Sequence, residues 1–167
     1  SPYDIEYVEQ PVKADDISGM ARVRGAIRVP LAADESLGSY MDLHRLLDAG
    51  AADIFVVKAA RLGGFRKTLR IANEAMERGH RVVVTSSLES GVGIAAAAHL
   101  AAALPPQPKA HGLATAELLE NDLLTGKWSP VGGFLKVPDK PGLGLKVEAS
   151  ALRLSLNNGI CKFRRGE

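Results

Sequence analysis

Short apolar runs in this sequence end in residues that can do acid–base or metal chemistry. Glu9 follows Ile5 to Val8, Asp34 and Glu35 follow Ile27 to Ala33, and Lys58 follows Ile54 to Val57. A fourth run, Val82-Val83-Val84, leads into Ser86-Ser-Leu-Glu-Ser-Gly-Val-Gly93. Parallel strands lie about 4.8 Å apart and α/β folds bind ligands at strand carboxyl ends, so groups on neighbouring ends can converge. Two such carboxylates can share a divalent cation, and oxygen ligands without thiolate or nearby histidine favour magnesium over zinc. Lys58, one strand further round, would lie beside the metal, suited to proton transfer or to holding developing negative charge. Glu35 is equally a candidate cap for the helix that follows it.

Ser86, Ser87, Glu89 and Ser90 are the candidate substrate-binding residues. No histidine lies near the serines and no nucleophile elbow is present. The loop is therefore read as offering backbone N–H groups to an anionic substrate at a helix start, with a plain capped loop as the alternative. His44, His80, His99 and His111 share no metal-ligand spacing and read as surface or core residues.

Strands alternating with helical patterns must position these groups, the sequence form of βα units around a parallel sheet. Asp16 can cap a helix to about Arg24, and Ser39 can cap the next, with Leu43, Leu46 and Leu47 on one face before Gly50. The strand Asp53 to Lys58 is followed by a helix over 65–78, with Leu69, Ile71, Ala72 and Met76 largely on one side, ending at Gly79. Arg81 to Thr85 is a fourth strand, and an alanine-rich helix runs to about Leu104. Pro105, Pro106 and Pro108 then precede a short fifth strand near Ala110 to Leu113 and a helix from about Ala116. Beyond Thr125, glycines and prolines mark turns, Asn157-Asn-Gly159 is another turn signal, and the last residues read as loose.

The 167 residues are 46% hydrophobic and 24% charged, enough for one globular core. Twenty-one basic and 19 acidic residues are mixed along the chain, so there is no basic footprint for nucleic acid. The one basic cluster, Lys162-Phe-Arg-Arg165, reads as a solvated tail. Cys161 is the single cysteine, which excludes an intramolecular disulfide and fits a reducing, cytoplasmic setting. The run from Ile94 to Leu104 is too short to cross a bilayer, so no membrane partner is expected.

Five stretches, Tyr7-Val-Glu-Gln-Pro11, Ala33-Asp-Glu-Ser36, Val57-Lys-Ala-Ala-Arg-Leu-Gly-Gly64, Ser86 to Gly93 and Gly112-Leu-Ala-Thr-Ala-Glu-Leu-Leu119, together resemble the enolase superfamily. The resemblance covers roughly residues 3–137 and points to the muconate lactonizing enzyme subgroup, most closely its o-succinylbenzoate synthases. It implies the carboxyl-terminal portion of a (β/α) barrel, about five βα units corresponding to strands four to eight. Residues 1–137 would form this partial barrel, and 138–167 an extension packing toward a capping domain.

The resemblance further implies magnesium ligands at Glu9 and Asp34 and a catalytic lysine at Lys58. The implied reaction removes a proton next to a substrate carboxylate and then water, in menaquinone biosynthesis. In that scheme magnesium stabilises the enediolate, a second-strand lysine takes the proton, and Lys58 inherits the stabilising role. Ala114 and Ala116 stand where dipeptide epimerases usually carry aspartates, and no histidine ends the seventh strand as in mandelate racemase-like enzymes. N-acylamino acid racemization and muconate-type cycloisomerization stay open. The amino-terminal capping domain, the second-strand lysine and a third-strand aspartate have no counterpart in this chain, while a barrel needs about eight strands to close. The chain alone is therefore expected to be inactive or nearly so, with open edges that allow homo-oligomer formation. A non-catalytic, self-associating half-barrel is the reading from another class.

Overall fold

The computed structural model describes residues 3–106, 110–119, 121–126 and 128–157. The proline at 108, the turn signal at 158–159, Cys161 and the basic cluster from Lys162 lie outside the described residues. The chain divides into two compact units, Ser1–Thr85 with Leu100–Gly112, and Ser86–His99 with Leu113–Glu167.

The first unit is built on a parallel sheet of order β1-β2-β3-β4: β1 (Val8–Glu9), β2 (Leu31–Ala33), β3 (Ile54–Val57) and β4 (Arg81–Val84). Helices α1 (Ile17–Ala26), α2 (Tyr40–Asp48) and α3 (Phe65–Glu77) make the crossovers. Asp16 caps α1 by accepting from Gly19 N, and Ser39 caps α2 by accepting from Asp42 N. Every residue of β3 is buried, as a continuous apolar run in a parallel sheet requires. On α3 the buried stripe is Thr68, Ile71, Ala72 and Ala75, at the i, i+3, i+4, i+7 spacing of one helix face. Thr68 joins this stripe at little cost because its hydroxyl donates to Gly64 O at 2.9 Å.

Several boundaries differ from the sequence expectation. β1 pairs at Val8 and Glu9 rather than over Ile5 to Val8, since Ile5 is exposed and the ladder begins with Val8 N donating to Pro30 O. β2 starts at Leu31, not Ile27, because Ile27 N still donates to Val23 O at the end of α1 and Pro30 has no N–H to give. The fifth strand shrinks to a single parallel bridge, Thr85 with Gly112. His111 Nδ1 takes the Val84 N–H at 3.1 Å, so an imidazole fills the edge position that a fifth strand's carbonyl would occupy.

The amino ends of β2 and β3 are braced by Asp53. Its Oδ1 accepts from Arg24 Nε at 2.9 Å and Nη2 at 2.8 Å, its Oδ2 accepts from Leu31 N at 2.9 Å, and Arg24 Nη1 donates to Gly50 O. Burial pushes the Asp53 carboxyl up, but the hydrogen bonds from Arg24 and Leu31 and the Arg24 charge outweigh it and hold the pKa low.

In the second unit, Gly91 opens α4 (Gly91–Ala103), whose last residues from Leu100 belong to the first unit. The expected helix from Ala116 is only a 3₁₀ turn, Thr115–Leu118. Thr125 N donates to Lys146 O, and Leu124 bridges Val147 antiparallel. A helix not anticipated from the sequence, α5 (Ala149–Asn157), follows, with Glu148 Oε1 accepting from Ser150 N and Oγ. No described helix is long and apolar enough to cross a membrane.

Candidate active site

Side chains alternate across a strand, so one face of the sheet can be followed residue by residue. Tyr7, Ala32, Ile54, Val56 and Val83 pack in one cluster. Two residues further along each strand, the same face presents Glu9, Asp34, Lys58 and Thr85. The register staggers them: Glu9 pairs with Ala32, Asp34 lies two residues beyond that partner, and Lys58 lies two beyond Val56, the residue that would next pair with Asp34 after Ala33 with Phe55. In tilted strands such a stagger brings successive groups to one height.

The structure brings Glu9, Asp34 and Lys58 together. Lys58 Nζ donates to Asp34 Oδ2, with the two side chains 14% and 5% exposed. Arg61 Nη1 stands 3.6 Å from Asp34 Oδ1, an oxygen that is buried and has no hydrogen-bond donor. Burial pushes the Glu9 carboxyl up, and so do the charges of Asp34 and Glu35, while Lys58 pulls it down. The exposed Glu9 and the buried Asp34 thus lie within electrostatic reach of each other, with Lys58 and Arg61 as the cations beside Asp34. Glu35 is exposed and does not cap α2, a role that Ser39 fills.

The same geometry bears on metal binding. An orphaned buried carboxylate oxygen beside a second carboxylate is a donor pair that a hard divalent cation satisfies. Among the described residues no group of three or more potential ligands gathers.

Sequence reasoning passed over two neighbours of the site. Gln10, directly after Glu9, reaches across to the turn after β2: Asp34 N donates to its Oε1 at 3.0 Å. Arg61 had appeared only inside a matching stretch. Its spacing from Lys58 was the available signal, since Arg61 N and Leu62 N both donate to Lys58 O in the tight turn that returns the guanidinium toward Asp34.

The serine loop belongs to the second unit. Ser86 is buried and its hydroxyl shares a 2.7 Å hydrogen bond with Thr115 Oγ1, which also donates to Ser87 O. The Glu89 side chain lies over Gly93, where a Cβ would come within 2.8 Å of Glu89 Cβ, and Ser90 O accepts from Ile94 N in the first turn of α4. Asp122 Oδ1 accepts from Gly91 N at 2.8 Å, so a carboxylate of the chain itself occupies that helix start.

The family model described as "Enolase C-terminal domain-like" matches residues 1–151. The chain belongs to the enolase superfamily. Within it, the chain is 47% identical over 135 residues to an o-succinylbenzoate synthase of Thermobifida fusca, an alignment covering 81% of this chain and 41% of that protein. Among solved structures, muconate lactonizing enzyme from Pseudomonas putida superposes with a TM-score of 0.85 at 31% identity, over 90% of this chain and 42% of the other. N-succinyl Arg/Lys racemase from Bacillus cereus gives 0.83 at 30% identity, over 90% and 40%. The chain spans about two-fifths of the length of the curated relatives it matches. The parallel α/β sheet is that of the superfamily's carboxyl-terminal barrel domain.

Proposed function

We propose that these residues are the metal- and lysine-bearing part of an o-succinylbenzoate synthase, a lyase of menaquinone biosynthesis working in the cytoplasm on a succinyl-hydroxycyclohexadiene carboxylate. The observation that carries this reading is the Lys58–Asp34 ion pair on one face of a parallel sheet, with the Glu9 carboxyl on that face within reach of both charges. The synthase is favoured over the racemase and the cycloisomerase by identities of 47% and 44% to two synthases, against 30% to the racemase and 31–34% to muconate lactonizing enzymes.

Glu9 and Asp34 would hold a magnesium ion, which when bound supplies positive charge to a substrate carboxylate and so eases removal of the neighbouring proton. Lys58 keeps an ammonium on the same face. Its limited exposure strengthens its attraction for negative charge developing on the substrate, because little water screens it. Asp34 orients that ammonium by accepting from it, and Arg61 keeps a second cation on Asp34's other oxygen. By the resemblance, Lys58 holds the charge that develops on the substrate rather than taking the proton. The Ser86 to Ser90 loop, with Glu89, is the proposed substrate contact.

The test is a chimera in which residues 3–137 replace the matching segment of the Thermobifida fusca synthase, assayed for dehydration with magnesium. Turnover that Lys58→Ala lowers by about 10²-fold or more supports the reading. A chimera that folds and racemizes an N-succinyl amino acid but does not dehydrate the cyclohexadiene would replace it with the racemase.

A further inference from the structure

We propose that Gln10 is a positioning residue whose side-chain amide ties the turn carrying Asp34 to the strand carrying Glu9, and so sets how the two carboxylates face each other. Gln10 is the one non-glycine residue with positive φ, 39°, among the described residues. That region is sterically costly for a side chain of this kind. What the side chain does there accounts for the cost being tolerated.

A primary amide has two acceptor positions and two donor hydrogens, and the Gln10 amide uses all four, three of them on the turn after β2. Oε1 accepts from Asp34 N at 3.0 Å and from Ser36 N at 3.2 Å. Nε2 donates to Ser36 Oγ at 2.7 Å and to Val12 O at 3.2 Å. The Gln10 backbone N–H meanwhile donates to Ala32 O at 3.0 Å and closes the β1–β2 ladder. Backbone and side chain of one residue thus hold β2 at Ala32 and, two residues on, the backbone of Asp34. Glu9 is covalently next to this clamp. The left-handed backbone at Gln10 lets the chain turn away toward Pro11 while the amide points back across the sheet end.

The clamp itself is read from hydrogen bonds. Its consequence for metal rests on the proposal that Glu9 and Asp34 hold a divalent cation, so the experiment reads the two separately. The ¹⁵N-labelled chain is compared with Gln10→Gly, which relieves the backbone strain but removes the amide, and with Gln10→Met, which keeps the size and the strain without the hydrogen bonds. Amide hydrogen exchange at Asp34 and Ser36 is expected to quicken by about tenfold or more in both variants, the weight of one lost hydrogen bond. Exchange at Phe55 and Val83 in the sheet should stay as it was.

Titration with Mn²⁺, followed by paramagnetic broadening near Glu9 and Asp34, is expected to need about 10- to 100-fold more metal in both variants. In Gln10→Gly this loss comes without a matching fall in thermal midpoint, a combination that a purely structural role would not produce. Asp34→Asn controls the metal reading: if it leaves the wild-type Mn²⁺ response unchanged, that reading fails and amide exchange alone decides. Unchanged protection of Asp34 and Ser36 in Gln10→Gly overturns the proposal. So does unchanged Mn²⁺ affinity in Gln10→Gly when Asp34→Asn abolishes binding.

Discussion

Replacing Lys58 by methionine removes the ammonium from a carboxylate whose side chain is 5% exposed, while keeping a chain of similar length. Taking away one partner of a buried ion pair costs about 3–5 kcal/mol, because the other charge is left uncompensated. Arg61, 39% exposed and 3.6 Å from Oδ1, offsets about 1 kcal/mol of this at most. The expected loss is therefore about 2–4 kcal/mol, a fall in thermal midpoint of about 4–16 °C for a chain of this size. Asp34→Asn should cost less, and Lys58→Met should add little once Asp34 is already asparagine. The assay is a double-mutant cycle by urea unfolding at neutral pH. The pH dependence carries a sign as well. Glu9 already has a raised pKa and in Lys58→Met loses the neighbour that lowers it, so its protonated form favours folding at low pH and that support disappears as pH rises through the folded pKa. The deficit of Lys58→Met should thus shrink on acidification. A coupling energy below about 0.5 kcal/mol would mark an ordinary surface pair and refute the buried-pair argument.

The Asp53 carboxyl, held low against Arg24 and Leu31 N, contributes stability that is complete above about pH 3.9 and lost as pH falls through its lower folded value. The advantage of wild type over Asp53→Asn in urea midpoint should accordingly shrink below about pH 4, and a constant difference would contradict the brace. Burial lowers the pKa of His111, whose Nδ1 accepts from Val84 N, so its NMR titration should fall below about 6.5 and its share of stability should fade as pH drops through that folded value. A midpoint at or above 6.5 would show that the imidazole does not serve as the sheet-edge acceptor. Gly64, at φ 97° and ψ 178° where α3 begins, has open space where a Cβ would stand, so Gly64→Ala should cost about 1–3 kcal/mol through the backbone alone. An unchanged urea midpoint would count against that conformation.

What could be read from the sequence was whatever depends on local pattern. The apolar run Ile54 to Val57 ending in Lys58, the caps Asp16 and Ser39, and the acidic residues at the ends of two strands all follow from spacing and residue type. What escaped depends on partners distant along the chain. The loss of the fifth strand turns on His111 meeting Val84 N, and the start of β2 turns on α1 holding Ile27. Gln10 lies in a matched stretch, but its role could not be read there, because it needs a left-handed backbone and amides 24 and 26 residues away. Asp122 on Gly91 N is similar, the two being 31 positions apart. Helix α5 is started by a glutamate, which is outside the usual capping residues and so did not stand out among the turn signals before it.

Glu9 and Asp34, with Lys58 beside them, are proposed above as the cation-binding centre of an o-succinylbenzoate synthase-type site. Crystals of the chain grown with Mn²⁺ test it most directly through the anomalous difference map. A peak is expected between the Glu9 and Asp34 carboxylates, and it should vanish in Asp34→Asn. Saturating Mn²⁺ with no peak at those oxygens, and Lys58 still holding Asp34, would contradict it.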